Sequence, residues 1–84
     1  MTNAQIIQAA NIVVIHQLAS TSLLQREMFL GYNLADKLMA TLEKINVVSA
    51  KPEYPKMRSV LIEDQLTLRM YLISKGYNPD ENES

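Results

Sequence analysis

Apolar residues return every three or four positions along most of the 84-residue chain, and the breaks in that rhythm divide it into segments. Behind a Thr2 or Asn3 cap, Ile6, Ile7, Ala10, Val13, Val14 and Leu18 fall on one stripe and predict a helix from Ala4 to about Leu18. The run Ile12-Val13-Val14-Ile15 would suit a strand, but the longer helical period and the helix formers around it outweigh four β-branched residues. Ile12 and Ile15 lie off the main stripe and need a second apolar partner, either the C-terminal segment or another subunit.

The stretch from Ser22 to Val48 reads as two helices joined by a tight turn. Ser22 is a good N-cap, so a short helix should run from Leu23 to about Phe29, closed by Gly31 in the left-handed conformation that costs glycine nothing. Asn33 is a second N-cap, and a further helix should continue from Leu34 to about Ile45, with Asp36 in its first turn and Lys44 in its last. Ala35, Leu38, Leu42 and Ile45 share one face of that helix; Asn33, Lys37, Ala40, Thr41 and Lys44 share another. This is the pattern of a helix-turn-helix whose second helix faces outward, although two helices and a polar stripe also occur in small helical domains that bind nothing.

Beyond Lys44, Val47 and Val48 predict a short strand, Ser49 to Pro55 a loop fixed by Pro52 and Pro55, and Met57 to Ile62 a returning strand. Leu66, Leu68, Met70 and Leu72 alternate as a strand would, but Leu66, Met70, Ile73 and Tyr77 fit a helical stripe. Glu63 and Asp64 before this segment, with Lys75 and Gly76 after it, favour a helix over residues 63–76 that covers the remaining apolar surface of the first.

The motif Ser22-Leu23-Leu24-Gln25-Arg26, followed by Gly31-Tyr32-Asn33 and by Ala35 and Leu38, resembles the C-terminal gamma domain of the FtsK/SpoIIIE family of bacterial DNA translocases. The likeness spans about residues 4–62, and Lys56-x-Arg58 before Val60-Leu61 is similar to the family's wing strand. The resemblance implies a mainly α fold with a small β-hairpin, a winged helix-turn-helix to which this chain adds a C-terminal helix. It also implies double-stranded DNA as partner, with the helix at the Gly-Tyr-Asn turn in the major groove, or a protein partner, since the family's gamma domain also contacts a site-specific recombinase. Asn33 matches the family, and Lys37 stands where it usually has arginine. Leu34 replaces another usual arginine, and Ala40 sits where an acidic side chain often contacts bases.

From these readings come candidates sorted by chemistry. Asn33, Lys37 and Thr41 can reach base edges, since an amide pairs with adenine and an ammonium with guanine acceptors; Arg26, Lys44, Lys56 and Arg58 can neutralise phosphates. The net charge of -1 hides a segregation: residues 26–58 carry six basic and four acidic side chains, whereas Asp80, Glu81 and Glu83 crowd the end. Residues 1–78 are therefore expected as one domain and 79–84 as an acidic flexible tail.

The chain has no cysteine, which removes disulfides and cysteine-ligated metals and fits a reducing cytoplasm. His16 is its one histidine, with no ligand cluster beside it, and no nucleophile elbow, phosphate-cradling glycine loop or acidic pair is present, so neither metal, cofactor nor catalysis is expected. The first helix is too short and too often interrupted by Gln5, Gln8, Asn11 and Gln17 to be a signal peptide or to span a membrane. An 84-residue chain buries only about 60 to 65% of its unfolded surface, and a homodimer through the first and C-terminal helices would extend its core.

Overall fold

In a computed structural model, which describes residues 1–52 and 58–78, the chain winds one helix through the centre and sets three others against it. These are α1 (Asn3–His16), α2 (Thr21–Met28), α3 (Tyr32–Lys44) and α4 (Gln65–Ser74). Thr2 starts α1 with a reciprocal capping box: its hydroxyl accepts from the Gln5 amide at 3.1 Å, and the Gln5 side chain accepts from the Thr2 amide at 3.0 Å. Ile6, Ile7, Ala9, Ala10, Val13 and Val14 are all buried, an arc wide enough to take α2, α3 and α4 as neighbours. The β-branched run is thus helical, because the residues on either side of it share the arc it completes. Leu18, expected on the stripe, lies beyond the helix end and is exposed; Ala9 takes a place in the core instead. Of the two residues off the stripe, Ile12 packs against the core and Ile15 stays exposed.

The α1 helix ends where Gln17 turns left-handed (φ 50°). Its side-chain amide then donates to the carbonyls of Val14 and Ile62, both at 2.9 Å, fastening the helix end to the segment that leads into α4.

Among the described residues the expected β-hairpin shows one isolated antiparallel bridge, Val48 with Val60, and a second bridge joins Arg58 to Ala19 ahead of α2. Around the first of them the Ser49 amide donates to the Ser59 carbonyl and the Leu61 amide to the Val47 carbonyl, each at 2.9 Å. Regular pairing stops there because the Ser59 amide is captured by the Ser49 hydroxyl at 2.8 Å in place of a backbone carbonyl. Most of the expected loop tip, together with Lys56 and Met57, lies outside the described residues, as do residues 79–84. Val47 and Val48 are buried, Val60 half-buried.

The C-terminal segment is a helix, but it presents the other face to the core. Leu68 and Leu72 are fully buried and Tyr71 packs beside them, whereas Leu66 (73% exposed), Met70 and Ile73 of the expected stripe look outward. Two contacts decide the choice: the Tyr71 hydroxyl donates to the Ile45 carbonyl at the end of α3 (2.6 Å), and the Gln65 amide donates to the Asn11 side chain on α1 (3.2 Å). Asp64 caps α4 by accepting from the Thr67 amide at 2.8 Å. Gly76 closes it at φ 88°, a conformation that asks for glycine.

Since Leu38 on α3 and Leu72 on α4 are both fully enclosed, Leu38→Ala or Leu72→Ala should each cost about 2 to 5 kcal/mol in urea unfolding. A chain ending at Ile62 should lose stability comparably, because the outer side of α1 is then bare. If Leu72→Ala leaves the urea midpoint unmoved, α4 does not pack as described.

Asp64 supplies a pH dependence whose sign is fixed by its cap. The backbone amide and then the side chain of Thr67 hydrogen-bond to the carboxylate and lower its pKa below the ordinary 3.8. The stabilisation is therefore present above the unfolded-state pKa and fades as pH falls through the lower folded value. Asp64→Asn, which keeps a capping acceptor without the titration, should flatten this acid limb of α4 helicity followed by circular dichroism.

Candidate nucleic-acid interface

The turn between α2 and α3 is built differently from what its glycine suggests. Ser20, not Ser22, caps α2, accepting from the Leu23 amide at 3.2 Å, so the helix begins at Thr21 and ends at Met28. The left-handed residue that closes it is Phe29 (φ 55°), because the amides of Phe29 and Leu30 both turn back to the Gln25 carbonyl. Gly31 is extended (φ -71°) and serves as the N-cap of α3, with no side-chain cap bond. The helix therefore starts at Tyr32, which places Asn33 inside its first turn and Asp36 a turn further on. An Asn33 that caps nothing keeps its amide for other partners.

On α3 the division of faces follows the expected pattern. Ala35, Leu38 and Leu42 are buried, joined by Met39, while Ile45 is half-buried. At about 100° per residue, Asn33, Lys37, Ala40 and Lys44 fall within roughly 60° of one another on the opposite side, and all four are exposed. Among the described residues the side chains of Asn33, Lys37 and Lys44 enter no hydrogen bond or ion pair. Thr41 sits at the edge of this face, half-buried, with its hydroxyl given to the Lys37 carbonyl at 3.0 Å and lying 3.5 Å from the Met1 sulfur. Leu34 packs partly into the core.

The four phosphate candidates fare unequally. Arg26 is open, its side chain 71% exposed and only loosely beside Glu27 (3.8 Å). Lys44 is exposed in the last turn of α3, and Lys56 lies outside the described residues. Arg58 is enclosed: its side chain is 15% exposed, with the guanidinium on the Glu43 carboxylate and donating to the Ser49 carbonyl at 3.2 Å. Nothing in the local sequence foretold this, since Glu43 is on another element.

Two exposed aromatics flank the turn and escaped the sequence reading, Phe29 (94% exposed) and Tyr32. His16 ends α1 at the surface, 3.9 Å from Glu27. Among the described residues no group of three or more acidic or histidine side chains is placed to hold a metal ion, and no helix is long and apolar enough to cross a membrane.

Fold and site together define a small four-helix domain in which α3, joined to α2 by a tight turn, presents a polar face. The chain belongs to the family described as the Ftsk gamma domain, which matches residues 2–63. It is 43% identical over 65 residues to the DNA translocase FtsK of Chlorobaculum tepidum, covering 77% of this chain and 8% of that protein. Against the DNA translocase FtsK of Mycobacterium leprae it is 37% identical over 75 residues, 88% of this chain and 9% of the relative. With that of Staphylococcus aureus the identity is 49% over 51 residues, 61% and 6% of the two chains. The chain thus spans less than a tenth of the relatives it matches, and no solved structure matches it.

The left-handed Phe29 gives a test of the turn. A non-glycine residue there costs about 1 to 2 kcal/mol, part of which glycine would return as chain entropy, and the exposed ring contributes little packing. Phe29→Gly should therefore stabilise the domain by up to about 1 kcal/mol in thermal unfolding, whereas Gly31→Ala, at an unstrained φ with open space around it, should show no backbone penalty.

Proposed function

We propose that this domain binds double-stranded DNA with the outward face of α3 in the major groove. The observation that carries the reading is the cluster of Asn33, Lys37 and Lys44, exposed and uncommitted on the second helix of a helix-turn-helix. Its membership of the Ftsk gamma family, with relatives named as DNA translocases, supports it. In this reading Asn33 and Lys37 address base edges; Arg26, Lys44 and Lys56 sit against phosphates; and the segments paired at Val48 and Val60 act as a short wing. Thr41, its hydroxyl already donated, contributes at most an acceptor. The domain needs no cofactor or chemical step, and in a cell it would lie on the nucleoid.

A second reading, contact with another protein or with a second copy of this chain, is favoured by the outward Leu66, Met70 and Ile73 of α4. The two separate by salt. Duplex binding should weaken steeply as salt rises, because each neutralised phosphate releases counterions, whereas an apolar contact should not.

Lys44→Ala should weaken binding to all duplexes and reduce the slope of log affinity against log salt by about one. Asn33→Ala and Lys37→Ala should instead erode discrimination between selected and random sequences by about 1 to 3 kcal/mol. Fluorescence anisotropy on labelled duplexes measures both. No duplex binding by the natural chain at low salt sinks the proposal.

A further inference from the structure

Arg58 is the residue through which three parts of the chain meet. Its backbone bridges Ala19 ahead of α2; its guanidinium lies on Glu43 of α3 and donates to the carbonyl of Ser49. Ser49 in turn receives the Ser59 amide on its hydroxyl and gives its own amide to the Ser59 carbonyl. The planar guanidinium can serve a carboxylate and a carbonyl at once, which a lysine ammonium on its flexible stem does less well.

Glu43 gives the arrangement its electrostatic meaning. It borders the exposed sector of α3 that holds Asn33, Lys37, Ala40 and Lys44, at about 80° from Asn33 around the helix. Uncompensated, it and Asp36 would match the two lysines of α3 charge for charge. With Arg58 on its carboxylate, Glu43 is cancelled and the face keeps an excess of positive charge.

We infer that Arg58 is a positioning residue of the α3 surface, one that holds the Val48–Val60 pairing against α3 and neutralises Glu43, and that its charge is thereby withheld from phosphate. This rests on the DNA reading for its consequence, though not for its geometry. It assigns Arg58 a different task from Lys44, which has no such partner among the described residues.

The experiment compares duplex affinity across a salt series for the full chain and for Lys44→Ala, Arg58→Ala, Arg58→Lys, Glu43→Gln and the double variant Arg58→Ala/Glu43→Gln. Arg58→Ala should weaken binding roughly tenfold, because it leaves the Glu43 carboxylate uncompensated beside the exposed sector of α3. Lys44→Ala should lower the slope by about one. Glu43→Gln should raise it by about one as the guanidinium is released, and the double variant should return to the natural slope. Arg58→Lys should recover only part of the lost affinity.

A slope that falls by about one in the double variant, as for Lys44→Ala, overturns the inference, and so does an unchanged slope in Glu43→Gln. Amide exchange at Ser49 and Leu61 reads the positioning without DNA, and both Arg58→Ala and Glu43→Gln should accelerate it. If the natural chain binds no duplex, the DNA proposal fails by itself, and exchange unchanged in the two variants would then overturn the positioning role as well.

Discussion

Everything in this domain depends on the burial of α1. Ala9, Ala10, Val13 and Val14 are almost completely removed from water, and the two alanines keep the helix surface low enough for its neighbours to approach closely. One helix thus supplies apolar surface to α2, α3 and α4, and the angle at which α3 projects its polar face is set by how Leu38, Met39 and Leu42 seat against the core that α1 centres. Among the described residues there is no second core to take over that task.

The helices were legible from their 3.6-residue period, helped in α1, α2 and α4 by a hydroxyl or carboxylate cap that α3 lacks. The choice among equivalent caps was not. Ser20, Thr21 and Ser22 offer the same hydroxyl, and Ser20 prevails because the chain that precedes it is held by Ala19 pairing with Arg58, a contact from beyond α3. Glycine misled in the same way. Gly31 and Gly76 look alike in composition, yet Gly76 is left-handed, while at the other turn Phe29 takes the strained conformation because both closing amides must reach Gln25. In α4, apolar residues at 66, 68, 70, 72 and 73 allow more than one inward face, and the Tyr71 hydroxyl on Ile45 helps select the one that periodicity did not.

The candidate site shows the same boundary between local and non-local information. The exposed arc of α3 was readable, since the positions of Asn33, Lys37 and Lys44 relative to Leu38 and Leu42 follow from helix geometry. What those side chains have left to donate was not. Thr41 is occupied by a carbonyl one turn back on its own helix, and Arg58 by a carboxylate fifteen residues away. Periodicity places a residue on a face but says nothing of partners brought in by tertiary contact.

Charge illustrates how far this matters. Net charge predicts long-range attraction to a polyanion, and at -1 the chain should have little of it. A surface is read by its local field, however, and within a Debye length of about 8 Å at physiological salt the balance on α3 is decided by whether Glu43 is compensated. Because Arg58 compensates it from within the fold, the helix can present a basic face on a nearly neutral molecule. The excess is small, so contacts that depend on geometry, such as an amide against a base edge, must carry a larger share of any recognition than bulk attraction does.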